Sequence, residues 1–89
     1  MHMSKITIPG KLLISILNEN NLTLTVFAER QSTFTNTELA DIVTGRRYID
    51  EEVAERIEKA TKYLRGHLSK VQWLGVQYAY DQCVNAANP

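Results

Sequence analysis

The segment from Phe34 to Arg47, FTNTELADIVTGRR, constrains the chain more than any other, because it spells a short helix signed at both ends. Thr35 is placed to cap the helix, and Glu38 three residues on can reach back to complete a capping box. Phe34 before the cap and Leu39 after it have the spacing of a hydrophobic staple. Leu39, Ile42 and Val43 share one helical face, and Gly45 is placed to end the helix in a left-handed turn. A helix this brief does not hold in water by itself, so its apolar side must lie on other helices.

The rest of the chain supplies them. Residues 1–8 read as a cloning remnant (Met1-His2-Met3) and a lead-in without helical pattern. Pro9 suits a first helical turn, Leu12, Leu13, Ile16 and Leu17 form a stripe, and the run Asn18 to Asn21 stops it. Thr23 caps a second helix, with Leu22 and Phe27 as staple and Phe27 and Ala28 facing inward. Gln31-Ser32-Thr33 forms the turn into the third helix. Asp50 caps a fourth, Glu51 and Glu52 favour its positive end, and Val53, Ile57, Ala60 and Leu64 line one face before Gly66 closes it. Glu52 with Arg56, Glu55 with Lys59 and Glu58 with Lys62 have the spacing of helix-surface ion pairs. A fifth helix is expected from His67 to Asn88. It carries two stripes, Leu68, Val71, Leu74 and Tyr78 on one side, and Trp73, Val76, Tyr80 and Val84 on another. That is more apolar surface than closing a small bundle requires, so one stripe is free to meet a second subunit. The plainer reading tucks the whole helix into its own core. The expectation is an all-α, five-helix compact domain, with residues 9–65 as the core unit and 66–89 as an added C-terminal helix.

With 89 residues there is room for one domain. No apolar run is long enough to cross a bilayer, and no signal segment opens the chain, so no membrane partner is expected. Cys83 is alone, which fits a reducing, cytoplasmic setting. There is no metal-ligand spacing, no glycine-rich phosphate loop and no nucleophile elbow, and the acidic residues are accounted for as caps or helix-face pairs. No catalytic residue, metal or cofactor is expected.

The outer face of the third helix carries Asn36, Thr37, Ala40, Asp41 and Thr44, all small or polar, and Arg46 and Arg47 follow at once. Such a low surface beside guanidinium groups suits entry into a DNA major groove next to a phosphate backbone. The bland alternative is ordinary polarity at a helix start followed by a solvated loop. Charge is the difficulty. Lys and Arg number 10 and Asp and Glu 10, and residues 22–49 are themselves neutral, with Arg30, Arg46 and Arg47 against Glu29, Glu38 and Asp41. Duplex affinity comes largely from cations on phosphates, so two copies of the domain, or a partner, would be needed to gather enough contacts.

Leu22-Thr23, Phe27-Ala28, Phe34-Thr35, the run Glu38 to Arg47 and the opening Ile49-Asp50-Glu51-Glu52 together resemble the helix-turn-helix domain of the Cro/CI-type (XRE-like) regulators. The pattern is closest to HigA-type antitoxins and small phage repressors, and it covers residues 12–65. Two departures stand out. The family's usual turn glycine is replaced by Ser32-Thr33, with one residue more than expected between Ala28 and Leu39. Leu24 stands where a phosphate-touching glutamine is common, leaving Thr23 and Thr25 as nearby candidates.

The resemblance implies a lambda-repressor-like fold and a sequence-specific, dimeric (auto)repressor of phage or toxin-antitoxin type. Thr35, Asn36 and Thr37 would face base edges, Asn36 able to pair bidentately with adenine and the threonine methyls to touch thymine. Asp41 would either accept from a cytosine amino group or repel the backbone. Thr23, Thr25, Arg46 and Arg47 would hold phosphates. Homodimers on a two-fold operator are implied, with recognition helices roughly 34 Å apart. The seam is expected at Trp73, Val76, Tyr80 and Val84, and a toxin or other protein is a further implied partner. The competing expectation is a helix-turn-helix-shaped interaction module, an antitoxin or phage inhibitor, that binds a protein partner without DNA.

Overall fold

A computed structural model describes residues 8–87, so Met1, His2, Met3 and the rest of the lead-in to residue 7 lie outside the described residues, as does the expected helix end at Asn88. Five helices follow in order: α1 Gly10–Glu19, α2 Leu24–Arg30, α3 Asn36–Val43, α4 Glu51–Thr61 and α5 Lys70–Ala87. No strand occurs among the described residues. The architecture is the all-α, five-helix one expected. α3 rests on α1 and α2, and α5 packs on α4.

The helix starts follow from their caps. The hydroxyl of Thr23 accepts the N–H of Val26 at 3.1 Å, and Asp50 Oδ1 accepts that of Val53 at 2.9 Å. The four staple residues, Leu22, Phe27, Phe34 and Leu39, are all buried in one core. α5 begins at Lys70 and not at His67. A capping box sets that start: Ser69 Oγ accepts the N–H of Gln72 at 3.2 Å, and Gln72 Oε1 accepts that of Ser69 at 2.8 Å. α4 likewise ends at Thr61, earlier than Gly66, and Leu64 enters the core from the turn that follows. Gly45 and Gly66 take positive φ, 85° and 80°.

Leu13, Leu17, Phe27, Leu39, Ile42, Ile49, Val53, Ile57 and Trp73 form the centre of one core. Trp73 corrects an expectation. Its side chain is 0% exposed, so it packs inside its own domain and has no surface to offer a dimer seam. The indole Nε1–H has no acceptor among the described residues, which costs about 1–3 kcal/mol. Burying a ring of about 200 Å² returns about 5 kcal/mol, so burial wins. The two stripes of α5 thus divide otherwise than expected. Val71 and Tyr78 of the first stripe stand in solvent, while Val76, Tyr80 and Val84 of the second are half-buried, Val76 in a groove with Leu12, Ile16 and Leu68.

α1 and α3 cross in near contact at Gly10, where a β-carbon would stand 1.9 Å from the carbonyl oxygen of Ile42. A second tie spans the chain. Asn20 Nδ2 donates to the carbonyls of Ile16 (2.7 Å) and Arg65 (3.0 Å), and its Oδ1 accepts the N–H of Arg65 at 3.0 Å. The exits of α1 and α4 are thereby clasped together. No described helix is long and apolar enough to cross a membrane, and no described His, Cys, Asp or Glu cluster could hold a metal ion.

Candidate nucleic-acid interface

The start of α3 is fastened from several directions. Thr35 Oγ1 accepts the N–H of Glu38 at 3.1 Å, and Glu38 Oε1 accepts the N–H of Thr35 at 2.9 Å, completing the capping box legible in the sequence. The glycine-free connection before it is held by one side chain. Gln31 Nε2 donates to the carbonyls of Phe34 (2.7 Å) and Ala28 (3.2 Å), while Oε1 accepts the N–H of Phe34 at 2.7 Å. An amide that joins both ends of the turn lets Ser32 and Thr33 be accommodated without a left-handed residue, since none of residues 31–35 has positive φ.

Arg56 of α4 is the third fastening, and it overturns the expected pairing with Glu52. Its guanidinium stacks over the Phe34 ring at 4.4 Å, donates to the Thr33 carbonyl at 2.5 Å and lies 3.4 Å from Glu38 Oε1. The planar fork reaches a ring, a carbonyl and a carboxylate at once, which a partner four residues away on the same helix cannot offer. Of the three expected helix-surface pairs, Glu55–Lys59 forms, at 3.7 Å. Glu58 instead accepts the backbone N–H of Lys70 at 3.1 Å, joining α4 to the start of α5. The Thr35 backbone amide, aided by the Arg56 charge and opposed by partial desolvation, holds the Glu38 carboxyl below its ordinary range. Glu38 therefore carries its negative charge against a cation, inside the scaffold of the tip.

What remains outside this scaffold is the row expected to read bases. Thr35, Asn36, Thr37, Ala40 and Thr44 are exposed, and the side chains of Asn36 and Thr37 make no hydrogen bond among the described residues. The hydroxyls of Thr23 and Thr35 accept cap bonds, so each keeps its own proton to donate outward. Thr44 is less available, because its hydroxyl donates to the Ala40 carbonyl at 2.7 Å. Asp41 is half-buried and Thr25 exposed. Arg46 is exposed and Arg47 half-buried, and neither guanidinium joins an ion pair among the described residues. Positive φ at Gly45 turns the chain out of α3, and the N–H of Arg47 returns to the Asp41 carbonyl at 3.0 Å.

The loop beyond the arginines is gripped from α5. Gln77, buried, accepts the N–H of Ile49 on Oε1 at 3.1 Å and donates through Nε2 to Asp81 Oδ1 at 3.0 Å. Asp81 Oδ2 accepts the Tyr48 hydroxyl at 2.6 Å. That bond, with lesser desolvation and the charges of Asp81 and Asp50, raises the Tyr48 phenol above its ordinary value. Arg56, Gln77 and Asp81 are positioning groups that sequence patterns did not reveal, since each acts through tertiary contacts, and Gln31 is a fourth whose contacts are local, to Ala28 and Phe34. Compared with known proteins, the chain matches no family model and no curated sequence.

Proposed function

We propose that the protein is a sequence-specific DNA-binding regulator of transcription, α3 entering the major groove and a dimer serving as the acting form in the cytoplasm. The observation that carries this reading is a contrast within one short helix. Its inner face and cap are held by Gln31, Arg56 and the capping box, while Asn36 and Thr37 have no duty in the fold. A rigid tip with uncommitted amide and hydroxyl groups is what base-edge readout needs, and Arg46 and Arg47 behind it, without an ion pair among the described residues, suit phosphates. Glu38 does not oppose this, being matched by Arg56. The dimer contact would use the outer side of α5, with Val71 and Tyr78 in place of Trp73.

The test is selection from a random duplex pool, followed by affinity measurements across salt concentrations. Binding should weaken steeply with salt. Replacing Arg46 and Arg47 by alanine should weaken all sequences alike, whereas Asn36→Ala should relax preference at one base position. Absence of salt-dependent duplex binding by the wild-type chain would overturn the reading. It would favour a protein-binding module, whose support is the zero formal charge together with exposed Val71 and Tyr78.

A further inference from the structure

α5 does more than close the bundle. Among the described residues Thr61 and Gln77 are the buried polar side chains, and Thr61 satisfies itself on its own helix through the Ile57 carbonyl at 2.7 Å. Gln77 spends both ends of its amide elsewhere. A buried amide is costly unless bonded, and an apolar residue would pack a helix against α4 without that demand. The polar group therefore has a specific task, and its partners identify it. Oε1 holds the backbone of Ile49, and Nε2 orients Asp81, which in turn holds the Tyr48 hydroxyl. Tyr48 and Ile49 directly follow the two arginines. On the other side, Gly45 and the Arg47–Asp41 backbone bond fix the chain entering the loop. Arg46 and Arg47 are thus bracketed, one side by α3 and the other by α5.

We infer that Gln77 and Asp81 are positioning residues for the Arg46–Arg47 loop, so that α5 sets how this domain grips the phosphate backbone of duplex DNA. The inference rests on the DNA-binding reading, but its structural half can be examined without DNA. Amide hydrogen exchange of the full chain is measured for the wild type and for Asp81→Ala, Gln77→Ala and Asp81→Asn, alongside duplex affinity as a function of salt. Loss of one grip should speed exchange at Ile49, whose N–H is held by Gln77, by about tenfold while amides central to α4 hold their protection. Duplex affinity should fall about tenfold, with the salt slope reduced by about 1, and base preference should stay unchanged. Asp81→Asn keeps one acceptor oxygen where Asp81 uses two, one for the Tyr48 hydroxyl and one for Gln77 Nε2, and should recover only part of both effects. Should Gln77→Ala unfold the chain, the partly exposed Asp81 still decides the matter. Unchanged exchange at Ile49 in Asp81→Ala, or an unchanged salt slope despite faster exchange, overturns the inference. If the wild type binds no duplex but the loop loosens as stated, positioning by α5 stands and the DNA-binding reading fails.

Discussion

Gly10→Ala isolates how closely α3 is seated on α1. In a helix interior alanine exceeds glycine in stability by about 1 kcal/mol, and at Gly10, the first residue of α1, that is the most the substitution can gain. Here the added methyl would stand 1.9 Å from the Ile42 carbonyl oxygen, 2.6 Å from its carbon and 2.8 Å from Val43 Cα. All three are backbone atoms of α3, so no rotamer change relieves the contact. Reaching ordinary carbon–oxygen separation requires α1 and α3 to part by roughly 1.5 Å, enough to forfeit much of the dispersion energy across that seam. Overpacking of this kind costs about 1–3 kcal/mol, and two helices moving apart belongs at the upper end. The propensity gain offsets only part of it, leaving a net loss of about 2 kcal/mol. In a domain of this size that lowers Tm by roughly 10 °C. Gly75→Ala is the matched control, since nothing lies within 4 Å of its added methyl in the middle of α5. It should gain about 0.5–1 kcal/mol. Urea melts read on the fluorescence of Trp73, the single tryptophan and fully buried, give both numbers. A Gly10→Ala protein as stable as the wild type would refute the close crossing of α1 and α3.

Gln31→Ala removes three hydrogen bonds from the turn before α3 and should cost about 1–3 kcal/mol in the same melts; a loss within error would mean the turn holds itself. Arg56→Ala should cost about 1–2 kcal/mol through the Phe34 stack and the Thr33 carbonyl, and Arg56→Lys should recover little of it because the planar fork is lost. Glu52→Gln should cost only what a first-turn carboxylate gains from the α4 dipole, about 0.3–1 kcal/mol, its charge having no partner in Arg56. Glu38 gives a pH signature. Its carboxyl lies below the ordinary value of 4.5 in the folded protein, so its contribution is present above that pH and disappears as pH falls through the folded value. Glu38→Gln should therefore flatten the acid limb of a stability–pH curve, and an unchanged limb would contradict the cap and Arg56 contacts.

The legible parts of this fold are those encoded by near neighbours. Thr23, Thr35 and Asp50 could be read as caps, and Gly45 as a helix stop, because each acts within four residues of itself. Ser69 and Gln72 carried the same kind of signal, and it places the start of α5. Helix-surface spacing misled for Arg56, because a guanidinium on a helix edge can choose a distant ring and carbonyl over an acid one turn away. The α5 stripes were ambiguous for a different reason. Periodicity says which residues share a side but not which side meets α4, and Trp73 took the core while Val71 and Tyr78 did not. In the candidate interface, Asn36, Thr37, Arg46 and Arg47 were found from local pattern together with the Thr35–Glu38 box and Gly45, while Arg56, Gln77 and Asp81, which reach in from α4 and α5, were not.

The Asn20–Arg65 clasp has a mechanical consequence. It pins two points 45 residues apart, turning everything between them, α3 included, into a loop closed at its base. Tension applied beyond α5 would strip that last helix and draw out its indole first. The enclosed loop would yield only after the asparagine amide let go, so an unfolding machine working from that side should stall at a four-helix remnant.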